Sequence, residues 1–467
     1  MRIIRFGSNG WRARFDDGFD DEAVVRIAGA LGRLWSETRP GGVVLVGFDT
    51  RHDGARLACL LGEVVASFGL QVKVSEGPCP TPAIGWCACS EMACVGAVML
   101  TASDSPCEYG GVLLRGEDGG PVTASFIANL DHMISARPTQ ERGQIERCDF
   151  IVPYVEHLLE GIDVEAIKAA HLSVVVDPMH GSALAAAHGA LECLGCEISF
   201  VHGEPMQDFG GLHPKPEEPW VDECEVTVRE SKANCGICLD GDGDRAALID
   251  ERGRLVSRHD MVPLVLKELV EEQGNRGRVV VSKAASVRVQ REAEALGCPW
   301  TAVPIGFERI YSEALEGDVI LGADEYGGVC VPWHLMERDG LYAALLCLER
   351  MAKTGATLSD MVAGLKDEIG TMSYGSRDVR LEPARVQSLR NLLPGVNPRS
   401  IAGKVPLRVN HADGLGAEFE DDAWVLVRVS RTESVARIYA EASSLEERDA
   451  LINDVKVRLL EQELHLL

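Results

Sequence analysis

The feature that most restricts the fold of this chain is one unit written three times: an apolar run, a helical stretch, and two more apolar runs. The first round has runs at residues 43–48, 71–75 and 94–100. The second has them at 172–176, 197–202 and 236–239, and the third at 278–281, 300–305 and 318–321. Between the first two runs of each round lies a segment of helical period, at 55–68, 183–194 and 286–296. Such alternation predicts three α/β domains built on mixed sheets with crossover helices. The third run of each round ends in a polar turn. These turns read Thr101-Ala102-Ser103-Asp104-Ser105, Asp240-Gly241-Asp242-Gly243-Asp244-Arg245 and Asp324-Glu325-Tyr326-Gly327-Gly328. Open α/β sheets bind ligands at the carboxyl ends of their strands, so three equivalent loops suggest one shared cleft.

After residue 374 the pattern changes to strands at 425–429 and 435–441 followed by a helix at 445–463, an α+β domain. The expected domains are 1–140, 150–252, 255–370 and 374–467. The first closes at a polar linker over 137–144 and the second near 251–254. The proline-rich stretch 210–219 reads as a stiff surface excursion.

Charge narrows the function. Of 467 residues, 46 are Lys or Arg and 72 are Asp or Glu, a formal charge of -26. Such a chain has no general basic face for nucleic acid or an anionic membrane, and neither is expected as a partner. A small anion senses only its own pocket, so a phosphate site here must be built from clustered arginines or backbone N–H groups. The N-terminal residues lack an apolar signal core, and no stretch approaches ~18 apolar residues, so a cytoplasmic location is expected. The 15 cysteines read as buried thiols. Cys193/Cys196 and Cys235/Cys238 have zinc-like spacing, but the pairs lie too far apart for a zinc ribbon, and an odd spacing on a strand sends two side chains to opposite faces.

The loop from Asp240 to Arg245 is the strongest chemical signal. Three carboxylates alternate with glycines and converge, which is costly unless they hold a divalent cation, and all-oxygen ligation suits Mg²⁺. A calcium EF-hand is the rival, with Glu251 at its twelfth position. However, Arg245 stands where that loop needs Gly, and a strand precedes it where an EF-hand has a helix. Ser103, in the matching loop of the first round, is a candidate nucleophile or phosphoryl carrier, although a serine in a turn is more often a cap. Arg428, Ser430, Arg431 and Thr432, with Arg437 following, place guanidinium forks and hydroxyls in one short loop, a set suited to a phosphate dianion. In isolation it is equally a solvated basic turn.

Taken in order, these motifs resemble the α-D-phosphohexomutase superfamily of phosphoglucomutases, phosphomannomutases and phosphoglucosamine mutases. Residues 6–12, Phe-Gly-Ser-Asn-Gly-Trp-Arg, resemble its F-G-T-S-G-x-R start, and Thr101-Ala102-Ser103 the start of T-A-S-H-N-P. Residues 240–245 match D-G-D-G-D-R throughout, 322–328 resemble G-G-E-E-S-G-G, and 428–433 resemble R-x-S-G-T-E. The resemblance implies a heart-shaped molecule of four domains around a central cleft. It implies a phosphorylated Ser103 beside Mg²⁺ held by Ser103, Asp240, Asp242 and Asp244, with catalytic roles for Arg12, Arg245 and Lys283. Asp324 and Tyr326 would contact the sugar, and Arg428, Ser430, Arg431, Thr432 and Arg437 the non-reacting phosphate. The expected reaction moves a phosphoryl group between O1 and O6 of glucose or mannose phosphate through a hexose 1,6-bisphosphate, in a monomer or dimer.

Several positions depart from the family. Asp104 stands for its histidine, Ser105 for its asparagine, Leu113 for a lysine, Glu308 for a further lysine and Tyr326 for the sugar-loop serine. Arg431 and Ser434 replace a glycine and a proline. Acid/base work is expected to fall to Lys283 or Asp104. Three alternatives follow: a phosphoglucosamine mutase, a non-catalytic sugar-phosphate binder, and a Mg²⁺-dependent phosphatase using the same serine.

Overall fold

A computed structural model describes residues 4–7, 10–135, 137–430 and 434–461. The threefold repeat is visible in the strand order. In the first sheet Val43–Phe48 lies between Gln71–Ser75 and Cys94–Leu100. In the second, Ser173–Asp177 lies between Glu197–Phe200 and Cys235–Leu239, and in the third Arg278–Ser282 lies between Trp300–Val303 and Val319–Ala323. All six of these pairings are parallel. The central strands are Val-rich and buried along nearly their whole length, as strands covered on both faces must be.

In each sheet the third run then turns back into an antiparallel partner: Tyr109–Arg115, Ala246–Ile249 or Val329–Cys330. The three polar loops are therefore the same structural object, the connection between a parallel strand and its returning neighbour. The fourth sheet is wholly antiparallel, in the order Ser373–Arg380, Val435–Ala442, Trp424–Val429, Leu415–Glu418 and Arg408–Asn410. Helices Pro383–Leu392 and Leu445–Glu461 contribute to its core.

Burial separates the molecule into unequal parts. One continuous apolar cluster runs through the first three domains, from Leu45 and Ile84 through Leu158 and Leu191 to Leu264 and Leu346. A ladder of rings crosses the same joint: Trp86 on His157 at 3.4 Å, His157 on His334 at 4.6 Å, and His334 on Tyr342 at 3.7 Å. The fourth domain has its own core. It meets the third through a small cluster of Ala284, Ile305, Trp424, Leu426 and Tyr439. Among the described residues no helix is long and apolar enough to cross a membrane.

Several expectations need correction. The first sheet takes a sixth strand, Glu146–Cys148, from beyond the linker expected to close it. Residues 250–254 form a turn inside the second sheet, because Leu255–Val256 pairs with Ala246–Ile249. Leu172, His202 and Ile305 lie outside their strands. The stretch 210–219 is a surface excursion only at its ends, where Gly210, Gly211, Glu218 and Pro219 are exposed; Pro214 and Pro216 are buried, and the Pro214 carbonyl accepts the Gly241 N–H at 3.3 Å. The cysteines are all free thiols and mostly buried. Cys235 and Cys238 do face opposite sides of their strand, into different apolar clusters.

Candidate active site

Ser103 sits at the turn that ends Cys94–Leu100, with φ of 51°, a left-handed conformation that a serine adopts only when its surroundings enforce it. The enforcing group is Arg51. Its guanidinium donates to the carbonyls of Ser103 (2.6 Å), Ser105 (2.7 Å), Pro106 (2.7 Å) and Tyr109 (3.0 Å), while its Nε pairs with Asp49 at 3.0 Å. Phe209, from the second domain, lies 4.8 Å from that guanidinium. The Ser103 N–H donates to Thr101 Oγ1 at 2.8 Å, and Ser103 Oγ donates to Asp240 Oδ2 at 3.2 Å. The serine loop and the acidic loop, 137 residues apart in sequence, are thus joined at the Ser103 hydroxyl.

Asp240, Asp242 and Asp244 are fully buried, and one oxygen from each lies within 4.8 Å of the others. Burial, then mutual repulsion, pushes the Asp240 carboxyl well above the usual range and Asp242 up to about 7. Burial acts on Asp244 in the same sense, but Arg338 and Arg245 hold it down. Asp242 Oδ1 and Asp244 Oδ1 accept no hydrogen bond among the described residues. Buried acceptors with unused lone pairs, converging at this spacing, fit a hard divalent cation. Thr81, at the start of helix Thr81–Ser90, donates its N–H to the Asp242 carbonyl at 2.8 Å and its hydroxyl to Oδ2 at 2.5 Å.

Cationic side chains surround this cluster. Arg12 Nη1 donates to Ser105 Oγ at 3.0 Å and lies 4.0 Å from Asp104. Arg245 reaches Asp104 at 3.0 Å and Arg338 reaches Asp244 at 2.6 Å. Burial alone would raise the Asp104 carboxyl, yet Arg245 and Arg12 hold it far below the ordinary carboxylate range. Asp104 is therefore a fixed anion that orients two arginines. The space among Ser103, Arg12, Leu113, Arg245 and Arg338 is about 20 Å³, room for roughly one water.

The remaining expected residues are less uniformly placed. Asp324 accepts the N–H groups of Tyr326 and Gly328 on Oδ1, both at 2.8 Å, and Arg338 Nη1 on Oδ2 at 3.1 Å. Tyr326 Oη is 3.1 Å from Tyr439 Oη and accepts from Arg437 Nη1 at 3.3 Å, tying the loop 324–328 to the fourth domain. Arg428 and Arg437 are cross-strand neighbours, and Arg428 Nε is 3.4 Å from Asp413. The Ser430 carbonyl accepts from Arg390. Arg431 and Thr432 lie outside the described residues. Lys283 is not brought to Ser103: it lines a 540 Å³ groove between the third and fourth domains with Asp413, Trp300 and Trp424. Three contributors have no expectation behind them. Arg51 follows a strand in an ordinary Asp-Thr-Arg turn, Thr81 looks like a helix cap, and Arg338 precedes a helix with no motif of its own.

Residues 4–141, 152–253 and 258–368 match domains I, II and III of phosphoglucomutase/phosphomannomutase, each described as an alpha/beta/alpha domain. The phosphoglucomutase/phosphomannomutase of Thermococcus kodakarensis is 31% identical, covering 98% of this chain and 99% of its own. The phosphoglucosamine mutase of Cereibacter sphaeroides (strain ATCC 17025) is 28% identical, covering 96% of each. A solved structure from Thermus thermophilus that carries the name phosphomannomutase superposes with a TM-score of 0.86 at 30% identity, covering 98% of this chain and 99% of that one. With a serine loop, an acidic loop and the loop 324–328 on three equivalent hairpins, the chain belongs to the phosphoglucomutase/phosphomannomutase family of the α-D-phosphohexomutases, isomerases that act as intramolecular phosphotransferases.

Proposed function

We propose that the chain moves a phosphoryl group between O1 and O6 of glucose or mannose phosphate, with Ser103 as the carrier. The observation that carries this reading is the buried Ser103 Oγ, 3.2 Å from Asp240 and ringed by Arg12, Arg245 and Arg338. Mg²⁺ held by Asp240, Asp242, Asp244 and a Ser103 phosphate oxygen would supply charge neutralisation there. The chain's own contribution is positioning. Arg51 fixes the Ser103 loop, and Arg12 and Arg245 stand ready for the equatorial oxygens of a transferring phosphoryl group. Arg428, Ser430, Arg431, Thr432 and Arg437 would hold the other phosphate, and a hexose 1,6-bisphosphate would turn over between the two sites. Asp324 Oδ2, which accepts Arg338 Nη1, has a further lone pair that would accept a sugar hydroxyl.

Phosphoglucosamine is the second substrate reading, supported by the names of relatives such as the Cereibacter sphaeroides enzyme. A coupled assay with glucose 1-phosphate, mannose 1-phosphate and glucosamine 1-phosphate separates these substrates, and release of inorganic phosphate marks a phosphatase. Intact mass of the wild-type chain is expected to show a phosphoryl group, and Ser103→Ala is expected to lose both that mass and all turnover. Full activity in that variant sinks the assignment.

A further inference from the structure

Arg338 sits where the three repeated domains meet. It lies just before helix Gly340–Thr354 and is buried. Its Nη2 reaches Asp244 of the acidic loop at 2.6 Å, its Nη1 donates to Asp324 at 3.1 Å, and its Nε donates to Glu337 at 3.1 Å. Glu337 is itself fully buried and pairs with Arg115, from the first domain, at 2.6 Å. The guanidinium also lies 4.9 Å from the Phe307 ring. Burial disfavours its charge, yet Asp244 and Glu337 hold it protonated. A flat cation fixed on so many sides is preorganised for an anion.

Two further features single this arginine out. Gly328 is not in the left-handed region, so its backbone does not call for glycine, but a Cβ there would lie 2.5 Å from Arg338 Cδ. Glycine at 328 thus clears the path by which the arginine enters the site. The wall beside Ser103 is otherwise short of uncommitted cations. Leu113 is apolar where the family has a lysine, Arg12 and Arg245 are both drawn to Asp104, and Arg115 is drawn to Glu337. Arg338 has five guanidinium N–H groups; three carboxylates take one each, which leaves two for a further acceptor.

We propose that Arg338 is a catalytic residue, meeting an equatorial oxygen of the phosphoryl group as it leaves Ser103 and standing in for the cation missing at Leu113. This role rests on Ser103 being the carrier. In the step, the bond from phosphorus to Ser103 Oγ breaks as the bond to a sugar oxygen forms, and the proton of that sugar hydroxyl ends on Ser103 Oγ. Arg338 keeps its own protons throughout and neutralises charge spread over the equatorial oxygens. Asp244 can serve both partners, because Oδ2 holds the arginine while Oδ1 is left for a metal. The contact to Asp324 sets the same guanidinium against the loop expected to meet the sugar.

The test uses the full-length chain, glucose 1-phosphate or mannose 1-phosphate with glucose 1,6-bisphosphate, and a range of Mg²⁺ concentrations. Arg338→Met should lower kcat about 100–1000-fold and change KM less than about threefold. Arg338→Lys keeps a charge against the buried carboxylates, and hence the fold. It should still lose about 10–100-fold in kcat, since one ammonium cannot serve three carboxylates and a phosphoryl oxygen. Leu113→Lys added to Arg338→Met should regain about tenfold or more, because both positions line the same space. Phosphoryl transfer from glucose 1,6-bisphosphate to dephosphorylated Ser103, followed by intact mass, should slow in step with kcat. The role is overturned by a kcat in Arg338→Lys within about threefold of the wild type, by a loss that vanishes at high Mg²⁺, or by a double variant no faster than Arg338→Met. Ser103→Ala, run alongside, separates the two readings. Turnover in that variant removes the carrier, whereas an inert Ser103→Ala beside an unimpaired Arg338→Lys removes only the role of Arg338.

Discussion

At Asp104 a carboxylate stands where the family has a histidine, and its neighbours decide what it can do. Arg245 at 3.0 Å and Arg12 at 4.0 Å keep it ionised far below neutral pH, so it has no proton to give there. Asp104→Asn should lower turnover by about 10–100-fold by loosening both arginines, and leave the shape of the pH–rate profile unchanged. A lost limb in that profile would instead make Asp104 the acid/base group. Arg51 tests positioning separately from chemistry. A lysine cannot donate to four carbonyls at once, so Arg51→Lys should cost about 2–4 kcal/mol in urea unfolding and reduce phosphorylation of Ser103. Neither arrangement is readable from neighbouring letters. Ser103 and the acidic loop were legible because their chemistry is local, whereas Arg51 acts through carbonyls 52 to 58 residues away.

Elements carry electrostatic costs of their own. On helix Val287–Ala295, Glu292 is fully buried with neither oxygen hydrogen bonded among the described residues, and its carboxyl is pushed up to about 7. Burial is the main cause. Lys267, 3.6 Å away, opposes it but is shared with Glu271 and Glu368. The folded chain therefore keeps this proton up to about pH 7, whereas the unfolded chain releases it near the ordinary value of 4.5. Stability falls as pH rises through that window and stays low above it. Glu292→Gln should raise the urea midpoint at pH 8, by an equivalent of about 1–2 kcal/mol, and change little at pH 4. An equal effect at both pH values would show that the carboxyl is not titrating there. Helical period placed this helix to within a residue or so at each end. It gave no warning that a Glu on it would be buried.

The whole molecule is divided by its cores. The first three domains share one apolar cluster, and the fourth is attached through five buried side chains and a few polar ties. One tie is Glu441, which accepts across the joint from Ser286 Oγ and from the Val287 N–H at 2.8 Å, and within its own domain from Trp424 Nε1 at 3.2 Å. With its own core and only this small joint to the third, the fourth domain has the weakest attachment of the four. Glu441→Ala leaves two donors across the joint without their partner and should cost about 1–3 kcal/mol there. Limited proteolysis should then release the region after residue 370 earlier than in the wild type, with the first three domains intact. Simultaneous digestion of all four would refute this division.

By itself the sequence determined the threefold α/β repeat, the distinct last domain, and the positions of the serine loop and the acidic loop. Each is written in short-range periodicity or in a contiguous motif, where neighbouring residues share one backbone geometry. Only the tertiary structure decided that Asp104 is a locked anion, that Arg51, Thr81 and Arg338 complete the site, and that Lys283 faces a different groove. These facts depend on burial and on charges brought together from distant parts of the chain. A side chain's partners, and hence its charge and chemistry, are fixed by the space the fold leaves around it.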